Sequence, residues 1–307
     1  MIDLIGKRRF YFLFSLLIIL PGLLSLLLPG GLRLAVDFTG GTLWELRFSQ
    51  TPPPALVKEV LAEKGYPDAI VQTTGEGTIL IRTKEIPSDA PVKGEIVAAL
   101  RARFGDLQEQ RFESVGPIVG TEVAQRALAA VALASLGILG YLWFAFRRVP
   151  AAYRYGTCAI IALLHDALVV LGIFSLLGRL FHLEIDALFV TAILTVIGFS
   201  VHDTIVVFDR IRENLLRYPG QPFEAVVNHS LLQTLGRSLA TSLTVIFTLA
   251  ALVLFGGVTT RPFALALLIG IVSGTYSSIF NAAALLVAWE KGELRLPLPG
   301  RRALRTA

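Results

Sequence analysis

The sequence is poor in reactive side chains, with one cysteine (Cys158) and four histidines in 307 residues. A lone cysteine excludes an internal disulfide framework and any Cys-only metal site, and widely spaced histidines argue against a zinc enzyme. Charge is scarce too, at 17% of residues against roughly 25% in a soluble domain. There is no Gly-Lys-Ser/Thr phosphate loop, so the chain is not expected to hydrolyse ATP, and the pair Gly40–Gly41 is too short for a dinucleotide fingerprint. No catalytic constellation, metal or cofactor is expected. What fills the chain is apolar, 54% of residues, with a mean hydropathy of +0.67.

The formal charge of +5 would suggest nucleic acid if it sat in one patch. It does not. Residues 29–124 carry a net charge of −3 and the remainder +8, so the basic excess lies outside the one long polar stretch and no nucleic-acid partner is expected.

A helix needs about 20 mostly apolar residues to cross the hydrocarbon core. Six stretches qualify: Phe10–Leu28, Gln125–Phe146, Tyr153–Leu177, Ala187–Phe208, Ser238–Gly256 and Phe263–Trp289. The first reads as a retained anchor, because its apolar run exceeds a signal core and no small-residue cleavage site follows it. Lys7, Arg8 and Arg9 precede the first span, and Arg147, Arg148 and Arg154 join the second to the third. Arg210, Arg212 and Arg217 follow the fourth; Lys291, Arg295, Arg301, Arg302 and Arg305 form the tail. The opposite short loops hold only Arg179 and Arg261. By the positive-inside rule both termini are cytoplasmic and 29–124 is periplasmic or extracellular.

That stretch reads as a folded domain. A strand at Thr42–Phe48 precedes a helix at Ala55–Lys64; strands Ile70–Thr73 and Thr78–Arg82 flank a turn at Gly75-Glu76-Gly77. A helix at Val92–Phe104 and a strand near Gln110–Val115 complete βαββαβ, the ferredoxin-like split motif. The expected fold is an α-helical membrane protein of six spans with one small α+β domain. Its expected divisions are 1–28 (N-terminus and first span), 29–124 (external domain), 125–289 (five-span bundle) and 290–307 (basic tail).

Ionisable residues inside a span are functional candidates, because charge there is costly. Asp166 lies near the middle of the third span beside His165, with no cation at an obvious partner position. Asp203 lies in the fourth span beside His202, roughly 8 Å inside the boundary at Phe208. Arg237 opens the fifth span from the same side, so Asp203 and Arg237 can meet at similar depth. Such a pair supports a proton relay if the helices move, or a fixed structural pair; residue types leave both open. Asp166 reads equally as a buried carboxyl bonded to a neighbouring helix, His165 and His202 as packing neighbours, and Cys158 as a small filler. In the sixth span Gly270, Gly274 and Ser278 form a small-residue stripe, a packing signal that also suits sliding helices. Pro222–Leu235 reads as a short amphipathic helix at the cytoplasmic surface.

Five ordered motifs resemble the SecF family, membrane subunits of the bacterial Sec protein-export machinery. They are Val36-Asp37-Phe38-Thr39-Gly40-Gly41-Thr42; Ser114-Val115-Gly116-Pro117-Ile118-Val119-Gly120-Thr121-Glu122; Leu164-His165-Asp166; the block Ser200–Asn214, with Asp203, Asp209, Arg210 and Arg212; and Asn228–Ser242, with Arg237. The resemblance implies half of a proton-driven RND-like transporter in the bacterial inner membrane, not an enzyme. It implies work with SecD to draw a preprotein across the membrane on the proton-motive force, beside the SecYEG channel, with SecA as the separate ATPase. It also implies proton-transport roles at Asp203 and Arg237; by residue type and position alone, Asp166 and His202 are weaker candidates for the same relay. Two other readings stay open: an assembly subunit that stabilises SecD or the channel, and a small-molecule exporter, for which 29–124 looks too small to supply a pocket.

Overall fold

The computed structural model describes residues 2–74, 77–88, 90–147, 151–257 and 260–293. Gly75 and Glu76 of the expected turn, Arg148, and tail residues Arg295, Arg301, Arg302 and Arg305 lie outside them. The chain divides into two units. One comprises the described residues of Met1–Arg33, Val131–Leu183 and Leu188–Ala307; the other is Leu34–Ala130 with Glu184–Ala187.

The second unit is α+β. After a short helix α2 (Val36–Thr39) come β1 (Gly41–Phe48), α3 (Pro54–Glu63), β2 (Ile70–Thr73), β3 (Ile79–Thr83), α4 (Pro91–Phe104) and β4 (Leu107–Val115). The sheet is antiparallel in the order β2-β3-β1-β4, the topology of the split βαβ motif. Alternation along β1 and β3 sends Trp44, Leu46, Ile79 and Ile81 into a core closed by Val57, Leu61, Ile96 and Leu100 of the helices. The Trp44 ring meets Phe112 edge-on at 5.1 Å, and its N–H donates to Glu109 Oε2 at 3.0 Å. β4 begins three residues before the expected Gln110, because Leu107 pairs with Phe48.

Among the described residues, six helical segments are long and apolar enough to cross a membrane. They are α1 (Arg8–Leu27, led by a 3₁₀ turn at Ile5–Lys7), α5 (Pro117–Phe146), α6 (Ala152–Phe181), α7 (Ala187–Arg217) and α8 (Phe223–Phe255); the sixth joins α9 (Arg261–Tyr276), a π-turn (Ser277–Ala282) and α10 (Ala283–Glu290). The sequence pattern did not anticipate the π-turn or α2. The expected surface helix 222–235 is the first part of α8, since only Gly236 interrupts good helix formers and one glycine costs about 1 kcal/mol. At 1.5 Å per residue α8 is roughly 50 Å long, more than the hydrocarbon thickness.

Inside the helical unit α1 and α6 touch at Gly22 and Gly172, where a Cβ on Gly22 would sit 2.6 Å from Gly172 Cα. Ser25 and Ser175 share a hydrogen bond of 2.6 Å beside that contact. Arg179 then donates to the carbonyls of Ser25, Leu28 and Pro29, closing the carboxyl end of α1.

Candidate functional site

The helical unit buries its polar residues on facing helix surfaces. Asp166 of α6, 1% exposed, is the most connected. Ser200 of α7 and Ser277 at the start of the π-turn donate to its Oδ2 at 2.5 and 2.6 Å. Ser273 of α9 donates to Oδ1 at 2.7 Å, and His165 Nδ1 lies 3.0 Å from the same oxygen. Serine suits this role: it is small enough to let helices approach, and it supplies the donors that a carboxyl needs away from water. The partners of Asp166 among the described residues are hydroxyls from two other spans and the adjacent imidazole.

The small-residue stripe lies against α7 in register. A Cβ on Gly270 would fall 2.1 Å from Val196 Cγ2, and one on Gly274 would fall 3.1 Å from Ser200 Cβ. Ser278 and Thr204 share a hydrogen bond of 2.8 Å, and Ser278 also donates to the Ser200 carbonyl. The i, i+4, i+8 spacing of Gly270, Gly274 and Ser278 therefore matches that of Val196, Ser200 and Thr204, which brings Ser273 and Ser277 beside Asp166.

Asp203 sits one turn beyond Ser200 on α7. It is 4% exposed, and its Oδ2 is buried without a hydrogen-bond partner among the described residues. His202, next to it in the chain, is exposed, and Ser242 of α8 accepts the Thr275 hydroxyl of α9 at 2.7 Å. The expected meeting of Asp203 with Arg237 is absent, since no ion pair among the described residues joins them. Arg237 is exposed on α8, one residue from the buried Ser238. Equal depth is insufficient for contact: a step of one residue turns a side chain by 100°, from the packed face to the flank.

The remaining family-signature residues do structural work. Gly40 has φ +70°, and a Cβ there would lie 2.7 Å from Pro117 Cα. A Cβ on Gly120 would lie as close to the Gly40 nitrogen, so the two motifs around Gly40 and Gly116–Pro117 are halves of one backbone crossing. Gly41, at φ +107°, passes the Thr83 carbonyl equally closely. Thr42 is buried, shares a hydrogen bond of 2.9 Å with Ser114, and accepts the Ile86 N–H at 2.7 Å. Asp37 Oδ2 accepts the Ala187 N–H at 2.9 Å. Near the end of α7, Asp209 pairs with Arg212 and Arg210 with Glu213 along the helix.

One cluster was missed in the sequence. Arg8 binds Glu224 at 2.8 Å and Glu293 at 2.5 Å, and Lys291 pairs with Glu224. Asn228 Oδ1 accepts the N–H groups of Leu4 and Ile5, while its amide donates to the Ile2 carbonyl. The N-terminal turn is thereby tied to the start of α8 and the end of α10. Arg8, Glu224 and Glu293 are over 60 residues apart in any pairing, so no local pattern linked them.

A model of the C-terminal region of SecD/SecF protein-export membrane proteins matches residues 95–292, and a model of the SecD/SecF GG motif matches residues 30–52. The chain belongs to the SecD/SecF family. It is 58% identical over 300 residues to a protein translocase subunit SecF of Thermobaculum terrenum, covering 94% of each chain. It is 50% identical to the subunit of that name from Anaerolinea thermophila, covering 96% of each. Among solved structures it resembles SecDF, a translocon-associated membrane protein from Thermus, with a TM-score of 0.80 and 34% identity. The match covers 94% of this chain but 39% of SecDF, so this SecD/SecF chain spans well under half of that protein. Six apolar helices and this membership make it a multi-pass membrane protein.

Proposed function

We propose that the chain is an accessory subunit of the Sec protein-translocation machinery, using the proton-motive force together with SecD to promote preprotein export across the cytoplasmic membrane. The observation that carries this reading is Asp203, a buried carboxyl in a membrane-spanning helix with an oxygen that no neighbour among the described residues satisfies. A group left so is costly unless a proton or a moving cation visits it. Arg237, on the flank of the neighbouring α8, is the cation a modest helix rotation brings to it. His202 and Asp166 are the weaker members of the relay. SecD is the first partner, supported by the match to a chain in which SecD and SecF are joined. SecYEG and the preprotein follow from the proposed role, with SecA engaged indirectly.

The basic short loops support an inner-membrane topology with both termini cytoplasmic and 29–124 periplasmic. The test is proton flux in vesicles holding this chain and its SecD, with and without a translocating preprotein. Flux that appears with the preprotein and vanishes in Asp203→Asn is expected. Equal flux in both, with export sustained, overturns the relay and leaves an assembly subunit. The tight register of Gly270, Gly274 and Ser278 on α7 is the observation that favours this second reading. It expects Asp203→Leu with Arg237→Met to be nearly silent.

A further inference from the structure

We propose that Asp166 is a second proton-accepting carboxyl in this chain, and that the Ser277 hydroxyl is the switch that passes its state to the π-turn of the sixth span. The inference rests on the proton-coupled reading above, in which Asp166 is a weaker member, and deepens it by naming the hydroxyl that reads its state. Its ground is the count of donors and acceptors.

With Asp166 ionised, Ser200, Ser273 and Ser277 all donate to it and the His165 Nδ1 faces it, so both oxygens are engaged. When a proton from solvent adds to Oδ2, the carboxyl becomes a donor there, and one hydroxyl must turn and accept. Ser277 can turn without losing a partner. Its Oγ lies 2.6 Å from Oδ2 and also 3.2 Å from the Gly274 carbonyl. The Ser200 and Ser273 hydroxyls have no second acceptor, backbone or side chain, among the described residues. In the protonated state Asp166 Oδ2–H donates to Ser277 Oγ, and Ser277 O–H donates to Gly274 C=O. One proton is added and no covalent bond within the chain breaks.

Gly274 is the point where this local change reaches the backbone. The Ser277 N–H is shared between the carbonyls of Gly274 and Ser273, at the boundary where α9 gives way to the π-turn Ser277–Ala282. A hydroxyl donating to Gly274 C=O competes with that N–H for the same oxygen. A π-turn holds one residue more than the α ladder accommodates, so small changes in hydrogen bonding at its edge can move it along the helix. Gly274 also abuts Ser200 of α7, so the shift acts where the two spans pack. The titratable groups around Asp166 are His165 on its own helix, Tyr276 on α9 with its ring 6.3 Å from that of His165, and Asp203 one turn from Ser200. Between Phe10 and Leu28, α1 contributes no acid or base apart from Tyr11.

The test is infrared difference spectroscopy of the full chain in lipid vesicles as pH is varied, read at the protonated-carboxyl band. It is run in an Asp203→Asn background, so that failure of the Asp203 reading cannot imitate failure of this one. Within the protonated-carboxyl region, to which the other acidic residues also contribute, one component is expected to be lost on adding Asp166→Asn and to shift in frequency on adding Ser277→Ala. Amide exchange across 277–282 is expected to depend on pH and to lose that dependence in Ser277→Ala. If Asp166→Asn fails to insert, the Ser277→Ala shift still decides. Absence of any component that Asp166→Asn removes overturns the proposal, as does a component whose frequency Ser277→Ala leaves unchanged.

Discussion

The two units of this SecD/SecF chain are built inside out with respect to each other. The α+β unit hides Trp44, Leu46, Ile81 and Leu100 completely and turns its charges outward. The helical unit exposes Phe10, Leu17, Leu133, Trp143 and Phe247, and encloses Asp166, Asp203, Ser200, Ser273, Ser277 and Thr204. In water the apolar side chain is the one that gains from burial. In lipid it gains nothing, so helices associate through close backbone packing and hydrogen bonds between polar groups. Large-to-small substitution should therefore harm one unit, and small-to-large substitution the other.

The largest expected effect is in the α+β unit. Trp44→Ala should destabilise it by about 3–5 kcal/mol, read as faster amide exchange of β1 and β3 in the full chain. Phe247→Ala on the outer face of α8 should stay within about 0.5 kcal/mol. Equal losses from both would break the comparison. Next comes Gly270→Val, which drives a side chain into Val196 and should cost the helical unit about 1–3 kcal/mol. Gly198→Ala, where a Cβ meets nothing within 4 Å, is the matched control and should leave thermal stability in detergent intact.

The smallest effect is expected where neither solvent rule applies cleanly, at the charged cluster beyond the last span. The two hydrogen bonds from Arg8 hold the Glu293 carboxyl below the ordinary glutamate range. A depressed value means that the pair's contribution is fully present above the ordinary value of about 4.3 and is lost as pH falls through the folded one. The melting temperature should therefore fall slightly in acid, and Glu293→Gln should flatten that limb. A variant whose acid limb matches wild type would show that the pair carries no stability.

Much of this architecture was readable from residue order. Hydropathy located six spans because each must satisfy the same thickness of hydrocarbon, and alternation located β1 and β3 because one face of a sheet is buried. Asp166 and Asp203 stood out because charge in a span is rare. What could not be read was which face of a helix meets which neighbour. Arg237 was expected at a depth that suits Asp203, yet it is exposed on α8 and no ion pair among the described residues joins the two. Asp166 looked solitary because its partners, Ser200, Ser273 and Ser277, are ordinary residues whose value lies in convergence. The Arg8–Glu224–Glu293 cluster stayed hidden for the same reason.

By itself the sequence determined the kind of solvent each segment meets, the number of crossings, the split βαβ order and the two acidic residues that the membrane must accommodate. Only the tertiary structure decided that three serines surround one of those acids, that the other keeps an oxygen without a partner among the described residues, and that the sixth span carries a π-turn beginning at one of those serines. Solvent preference is a property of each residue summed along the chain. Hydrogen-bond partnership depends on rotation and register between helices, which packing of small residues such as Gly270 on Val196 sets and no single segment encodes.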